Sequence, residues 1–234
     1  VFPNLSEITD AEIQVDPDRY YYSGISQGGI YGGTLMAVSP DLTYGHLGVP
    51  GQNYSLLLHR SVDFDFYFEI LRSAVPSVTD QNILYALIQQ LWDQVDPGSY
   101  MRHITAEPFA GQDPSYILGT PAKGDIQVAT FTNLIAANSN IDLAVMADYG
   151  RDTAHYGNIT ETPYSTPETP YRGSAYVLWD YGNPWPQHGN LPPDHTDYCF
   201  VQHGASADCT EESCHECDPH GIPRYNFAHQ EQMM

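Results

Sequence analysis

Positive charge is what this chain has least of. Lysine and arginine number 8 against 29 aspartates and glutamates, and only one of the eight is a lysine, Lys123, so the formal net charge is -21. A surface of that sign repels phosphate backbones and acidic headgroups, which excludes nucleic acid and anionic membrane as expected partners. Any apolar run long enough to cross a bilayer is also missing, so no integral membrane segment is expected. Cysteine is scarce at four residues, yet Cys199, Cys209, Cys214 and Cys217 all fall close together near the C-terminus. What abounds is tyrosine, proline and glycine, at 18, 18 and 19, a loop-rich and aromatic composition common in exported proteins. The 41% hydrophobic content suffices for a buried core, and one domain over 1–234 is the simplest expectation. The chain starts at Val1 rather than Met, shows no export signal and stops within a helix-like polar segment. It is therefore read as a piece of a longer chain, with a secreted or cell-envelope location expected.

The chain organises around Tyr20-Tyr21-Tyr22-Ser23-Gly24-Ile25-Ser26-Gln27-Gly28, a β-prone aromatic run entering a Gly-x-Ser-x-Gly pentapeptide. A serine on a sharp strand-to-helix turn needs nearly side-chain-free residues two positions to either side, and Gly24 and Gly28 meet that need. A helix starting at Gln27 would aim its unpaired N–H groups at the serine, with the Gln27 amide as an oxyanion donor. The bland alternative is a glycine-rich loop that only turns the chain.

Around this unit the pattern predicts an α/β fold. A short helix is expected before Asp16-Pro17-Asp18, then a strand over 20–25, a helix over 27–38 and a short strand near Gly45 to Gly51. Residues 61–110 read as a helical cap insertion, most clearly in the apolar face of Ile83, Leu84, Leu87, Ile88, Leu91, Trp92 and Val95. Covering one sheet face is an equal alternative for these helices. Strands follow at Tyr116 to Gly119 and Lys123 to Ala129, a helix at Thr130 to Asn138, and strands at Ile141 to Met146 and Ser174 to Trp179. A long loop is expected over 151–172, and a proline-, histidine- and glycine-rich stretch runs on to Asp197.

A nucleophilic serine needs a base to take its proton and a carboxylate to orient that base. Asp125, in a Gly-Asp-x-x-Val turn between strand and helix, would emerge at the sheet end that carries Ser26. The chain order serine, acid, histidine removes His46, His59 and His103. Of His155, His188, His195, His203, His215, His220 and His229, His220 stands out because it is held between Pro219 and Pro223, with His203 as runner-up. The four cysteines favour two disulfides over 199–220, bracing the loop that carries His220; zinc held by Cys209, Cys214 and Cys217 with Cys199 or His215 is the rival.

The runs Ser23-Gly24-Ile25-Ser26-Gln27-Gly28-Gly29, Leu47-Gly48-Val49-Pro50-Gly51-Gln52-Asn53-Tyr54-Ser55 and Arg60-Ser61-Val62-Asp63-Phe64 are similar to those of exported bacterial α/β-hydrolase-fold esterases and lipases. So are Gly124-Asp125-Ile126-Gln127-Val128 and Asp218-Pro219-His220-Gly221-Ile222-Pro223-Arg224, the latter before a Gln-rich helix such as Ala228 to Met234. The resemblance implies a mostly parallel sheet flanked by helices, with Ser26 as nucleophile, Asp125 as acid and His220 as base. It also implies a small-molecule or lipid ester substrate and no cofactor or triad metal, with peptide cleavage or a non-catalytic scaffold as alternatives. It places further strands and the loop giving the second oxyanion donor ahead of the serine.

Overall fold

The computed structural model describes residues 20–139, 143–147, 173–179 and 218–224. Five strands form one sheet: β1 (Tyr20–Ile25), β2 (Leu42–Gly48), β3 (Tyr116–Thr120), β4 (Leu143–Ala147) and β5 (Ser174–Leu178). Their spatial order is β1-β2-β3-β5-β4, and every pair is parallel. Parallel neighbours need crossover connections. These include α1 (Gln27–Val38), α2 (Tyr54–Leu58), α3 (Asp65–Ala74), α4 (Val78–Trp92), α5 (Met101–Ile104) and α6 (Phe131–Ser139). The class is α/β. No helix among the described residues is long and apolar enough to cross a membrane.

Register sets where chemistry can gather. Ile25 pairs with Gly48 and Gly48 with Thr120, so the C-terminal ends of β1, β2 and β3 finish side by side. Alternation along the strands then divides the two faces. One face meets α1 and α5: Leu47, Ile117 and Tyr176 join Met36 and Ala37 of α1, Met101 and Ile104 of α5, and Ala136 of α6 in the main core, with Tyr22 packed against them. The other carries Tyr21, Tyr44 and Tyr116, paired in register with ring centroids 6.2 and 5.6 Å apart. Further along, the same face turns polar, with His46 and Thr120 buried and Ser23 exposed at its edge. Ser23 Oγ lies 3.1 Å from His46 Nδ1, and His46 Nε2 lies 3.0 Å from Thr120 Oγ1.

Two expectations change. Lys123 to Ala129 is not a strand but a series of turns, entered from a bridge between Ala122 and Trp179. Gly124 takes φ 83, and Asp125 Oδ1 accepts the N–H groups of Gln127 and Val128 at 2.9 and 2.8 Å, so local side-chain bonding outcompetes extension. The second change concerns α4. Its buried side is Gln81 and Tyr85 with Leu84, Ile88 and Trp92 half-buried, whereas Ile83, Leu87 and Leu91 of the expected apolar face are exposed. The helix carries apolar residues on two sides, and only one side meets α2.

Within the span 61–110, α5 belongs to the main core and packs on α1. Tyr85 of α4 and Phe68 of α3 close a smaller cluster over Leu58 of α2. The expectations for 1–15, 151–172, 180–197, 199–217 and 228–234 lie outside the described residues.

Candidate functional site

Ser26 sits between β1 and α1 at φ 60 and ψ -123, a backbone region that a side-chain-bearing residue enters only when its surroundings over-determine it. Two bonds hold it there. Its N–H donates to Gly48 O at 2.9 Å, tying the turn to β2, and its carbonyl accepts from Ile30 N at 2.9 Å, opening the helix. The crowding is real at Gly24, where an added Cβ would lie 2.3 Å from the Tyr22 hydroxyl and 2.5 Å from Gly28 O. At Gly28 it would meet only the Tyr22 hydroxyl, at 3.6 Å, an ordinary contact. The second tight position is instead Gly29, whose Cβ would stand 2.4 Å from Gly48 O. The elbow thus depends on Gly24 and Gly29, the latter because α1 must approach the end of β2. Tyr22 spans the turn by donating its hydroxyl to Gly28 O at 2.6 Å.

The structure brings the three sequence-chosen side chains into one line. Ser26 Oγ lies 2.8 Å from His220 Nε2, and His220 Nδ1 lies 2.8 Å from Asp125 Oδ2. His220 and Asp125 are buried. A carboxylate only accepts, so Nδ1 carries the imidazole proton and Nε2 is left to accept from the serine hydroxyl. Asp125 arrives by the turn that follows β3, and its second oxygen is occupied by the Gln127 and Val128 N–H groups. His220 arrives on a 3-10 helix, Pro219–Arg224. Gln27, as the first residue of α1, has an N–H with no intrahelical acceptor, directed at the N-terminal end beside Ser26. With no acidic side chain in the first turn of α1, nothing there offsets the positive end of the helix dipole.

Strain gathers at this sheet end. Besides Ser26, the non-glycine residues with positive φ among those described are Val49 at 39 and Asn53 at 58, both in the loop leaving β2. Asp96, fully buried, holds that loop: its carboxylate accepts from Asn53 N at 2.9 Å, Tyr54 N at 2.8 Å, Gly98 N at 2.7 Å and Gln89 Nε2 at 3.1 Å. Burial and the neighbouring Tyr31 push the Tyr54 hydroxyl well above its usual range, which keeps it neutral.

Histidines set aside by chain order are used elsewhere. His46 bridges Ser23 and Thr120, the His59 ring packs 3.8 Å from that of Tyr85, and His103 Nδ1 bonds Glu107 O at 2.7 Å. His203, the runner-up, and the four cysteines lie outside the described residues, as do His155, His188, His195, His215 and His229. Among the described residues no cluster of His, Cys, Asp and Glu is placed to hold a metal ion.

Two residues with a part in the site went unassigned in the sequence. Asp218 is one, its carboxylate reaching both the Asp125 turn and the His220 backbone. Asp96 is the other, and its only sequence signal is the turn-forming Asp96-Pro97-Gly98. Comparison with models of known protein families, with curated proteins and with solved structures found no match.

Proposed function

We propose that the chain is a serine hydrolase of the α/β-hydrolase fold that cleaves carboxylic esters. The observation that carries this reading is the unbroken relay Ser26–His220–Asp125, with both links at 2.8 Å and the serine on a strained turn ahead of a helix. Ser26 Oγ attacks the ester carbonyl while His220 Nε2 takes the hydroxyl proton, and Asp125 holds the imidazole in the tautomer that can accept it. The carbonyl oxygen gains the negative charge, and the Gln27 N–H at the helix end supplies one donor to it. Collapse expels the alcohol, which leaves with the proton held at Nε2. Water then gives a proton to Nε2 and attacks the acyl-serine, and its collapse returns that proton to Ser26 as the free acid departs.

A non-catalytic scaffold has no need to keep a serine, a histidine and a carboxylate in line at a strained turn, and the 2.8 Å serine–histidine separation favours catalysis. The test uses the whole protein with activated esters and a fluorophosphonate probe. Wild type should hydrolyse the esters and take one label at Ser26, and Ser26→Ala should do neither. An unlabelled, inactive wild type, or an active Ser26→Ala variant, would overturn the reading. Esters and matched amides assayed side by side separate esterase from peptidase.

A further inference from the structure

A second buried carboxylate stands behind the Asp125–His220 pair. Asp218 Oδ1 accepts the His220 N–H at 3.2 Å and the Ile126 N–H at 3.3 Å, and its Oδ2 accepts from Gln127 Nε2 at 2.7 Å. One oxygen therefore joins the backbone of the segment bearing the imidazole to the backbone of the turn bearing its partner acid. These two segments are 91 to 95 residues apart in sequence, and Asp218 and the Asp125–His220 bond supply polar links between them. Gln127 completes the brace, its N–H on Asp125 and its side-chain amide on Asp218.

We propose that Asp218 is a positioning residue that clasps the His220 backbone to the Asp125 turn, so that the imidazole is delivered to Asp125 and Ser26 in hydrogen-bonding register. The inference rests on the hydrolase reading for its catalytic meaning, but its geometry can be tested without turnover. A clasp of this kind matters because displacement of a base by about 1 Å can cost about 10² in rate. Its chemistry is also unusual. Burial, followed by the charge of Asp125, pushes the Asp218 carboxyl up to about 6, while the Gln127 amide, the His220 N–H and the His220 ring act to lower it. Asp125 from the turn after β3 and His220 from its own segment are the titratable groups that act on it among the described residues. On the acid side the Asp218 carboxyl thus adds an ionisation linked to the charge of Asp125.

The discriminating experiment compares wild type, Asp218→Ala and Asp218→Asn in the full chain. Two readouts are taken: the low-field proton resonance of His220 Nδ1–H in the free protein, and the rate of fluorophosphonate labelling against pH. Asparagine keeps an oxygen for the two N–H groups and loses the charge; alanine loses both. The resonance should persist in wild type and Asp218→Asn and vanish in Asp218→Ala. Labelling should slow by about 10²-fold in Asp218→Ala and be largely rescued in Asp218→Asn. The acid limb of the pH profile should be shallower in Asp218→Asn than in wild type, because one ionisation has been removed. An Asp218→Ala protein with an intact resonance and wild-type labelling would overturn the clasp and leave the hydrolase reading standing. If Asp218→Ala does not fold, an unchanged acid limb in Asp218→Asn would overturn the linked ionisation, and failure of Asp218→Asn to hold the resonance would overturn the clasp. Were no form to label while the resonances followed the expected pattern, the clasp would stand and the hydrolase reading would fall.

Discussion

The sheet end around Ser26 and the helical stretch α3–α4 treat their side chains in opposite ways. At the sheet end polar groups are buried and matched: Asp96, Asp125, Asp218 and His220 are all below a tenth exposed, and each has named partners. In α3–α4 apolar groups are left in water, with Phe66 72% and Leu91 70% exposed. Burying a carboxylate unpaired is expensive, so its partners must be in place when the fold closes. An exposed leucine costs little, so nothing forces it inward. The difference teaches that geometric precision in this molecule is concentrated where buried charge demands it, and the helical stretch is anchored mainly through Leu58, Phe68 and Tyr85.

That contrast can be broken at its sharpest point. Asp125→Asn should lower kcat/KM on activated esters by about 10⁴, since the amide permits the wrong imidazole tautomer. Steady-state kinetics with a folded control by circular dichroism check it; an activity within tenfold of wild type would mean that the relay carries no chemistry.

Tyr85→Ala removes the ring that closes the α2–α3–α4 cluster and should cost about 3–5 kcal/mol in urea unfolding. Gly24→Ala should cost about 1–3 kcal/mol, because its methyl would collide with Gly28 backbone as well as the Tyr22 hydroxyl. Its labelling rate should fall with stability, whereas Tyr85→Ala should lose stability first.

A pH scan sharpens the buried-charge side of the comparison. The Asp218 carboxyl is raised from 3.8 to about 6, so the folded state binds its proton more tightly than the unfolded state does. Its contribution therefore favours folding below pH 3.8 and is lost as pH rises through about 6. Relative to Asp218→Asn, wild type should lose melting temperature between pH 4 and pH 7, read by differential scanning calorimetry. A wild-type carboxylate that became more stabilising over that window would contradict the assigned direction.

The smallest effect belongs to the exposed side of α4. Leu91→Gln and Leu87→Gln should change stability by no more than about 0.5 kcal/mol each in the same unfolding assay. A loss as large as that of Tyr85→Ala would show that this face is covered in solution.

Local sequence determined a good deal by itself. A tyrosine run before a glycine-bounded serine specifies strand, turn and helix, because β propensity and the room left by side-chain-free glycines act within a few residues, and the helix begins at Gln27 as the pattern predicts. The α/β class was legible from the alternation of strand and helix patterns. The order serine, acid, histidine left seven histidines, and the prolines beside His220 together with the family resemblance singled out Ser26, Asp125 and His220. Where local signals competed the reading failed: Lys123 to Ala129 has the composition of a strand but an aspartate able to bond its own backbone. Only tertiary structure decided the rest. The Asp125–His220 and Ser26–His220 contacts close over 95 and 194 residues, distances at which no periodicity carries information. Which side of α4 meets α2, the tight approach of Gly29 to Gly48, and the hold of Asp218 on His220 depend on which surfaces the sheet register brings together. Periodicity describes a residue's place on its own element, and burial and charge pairing depend on its neighbours.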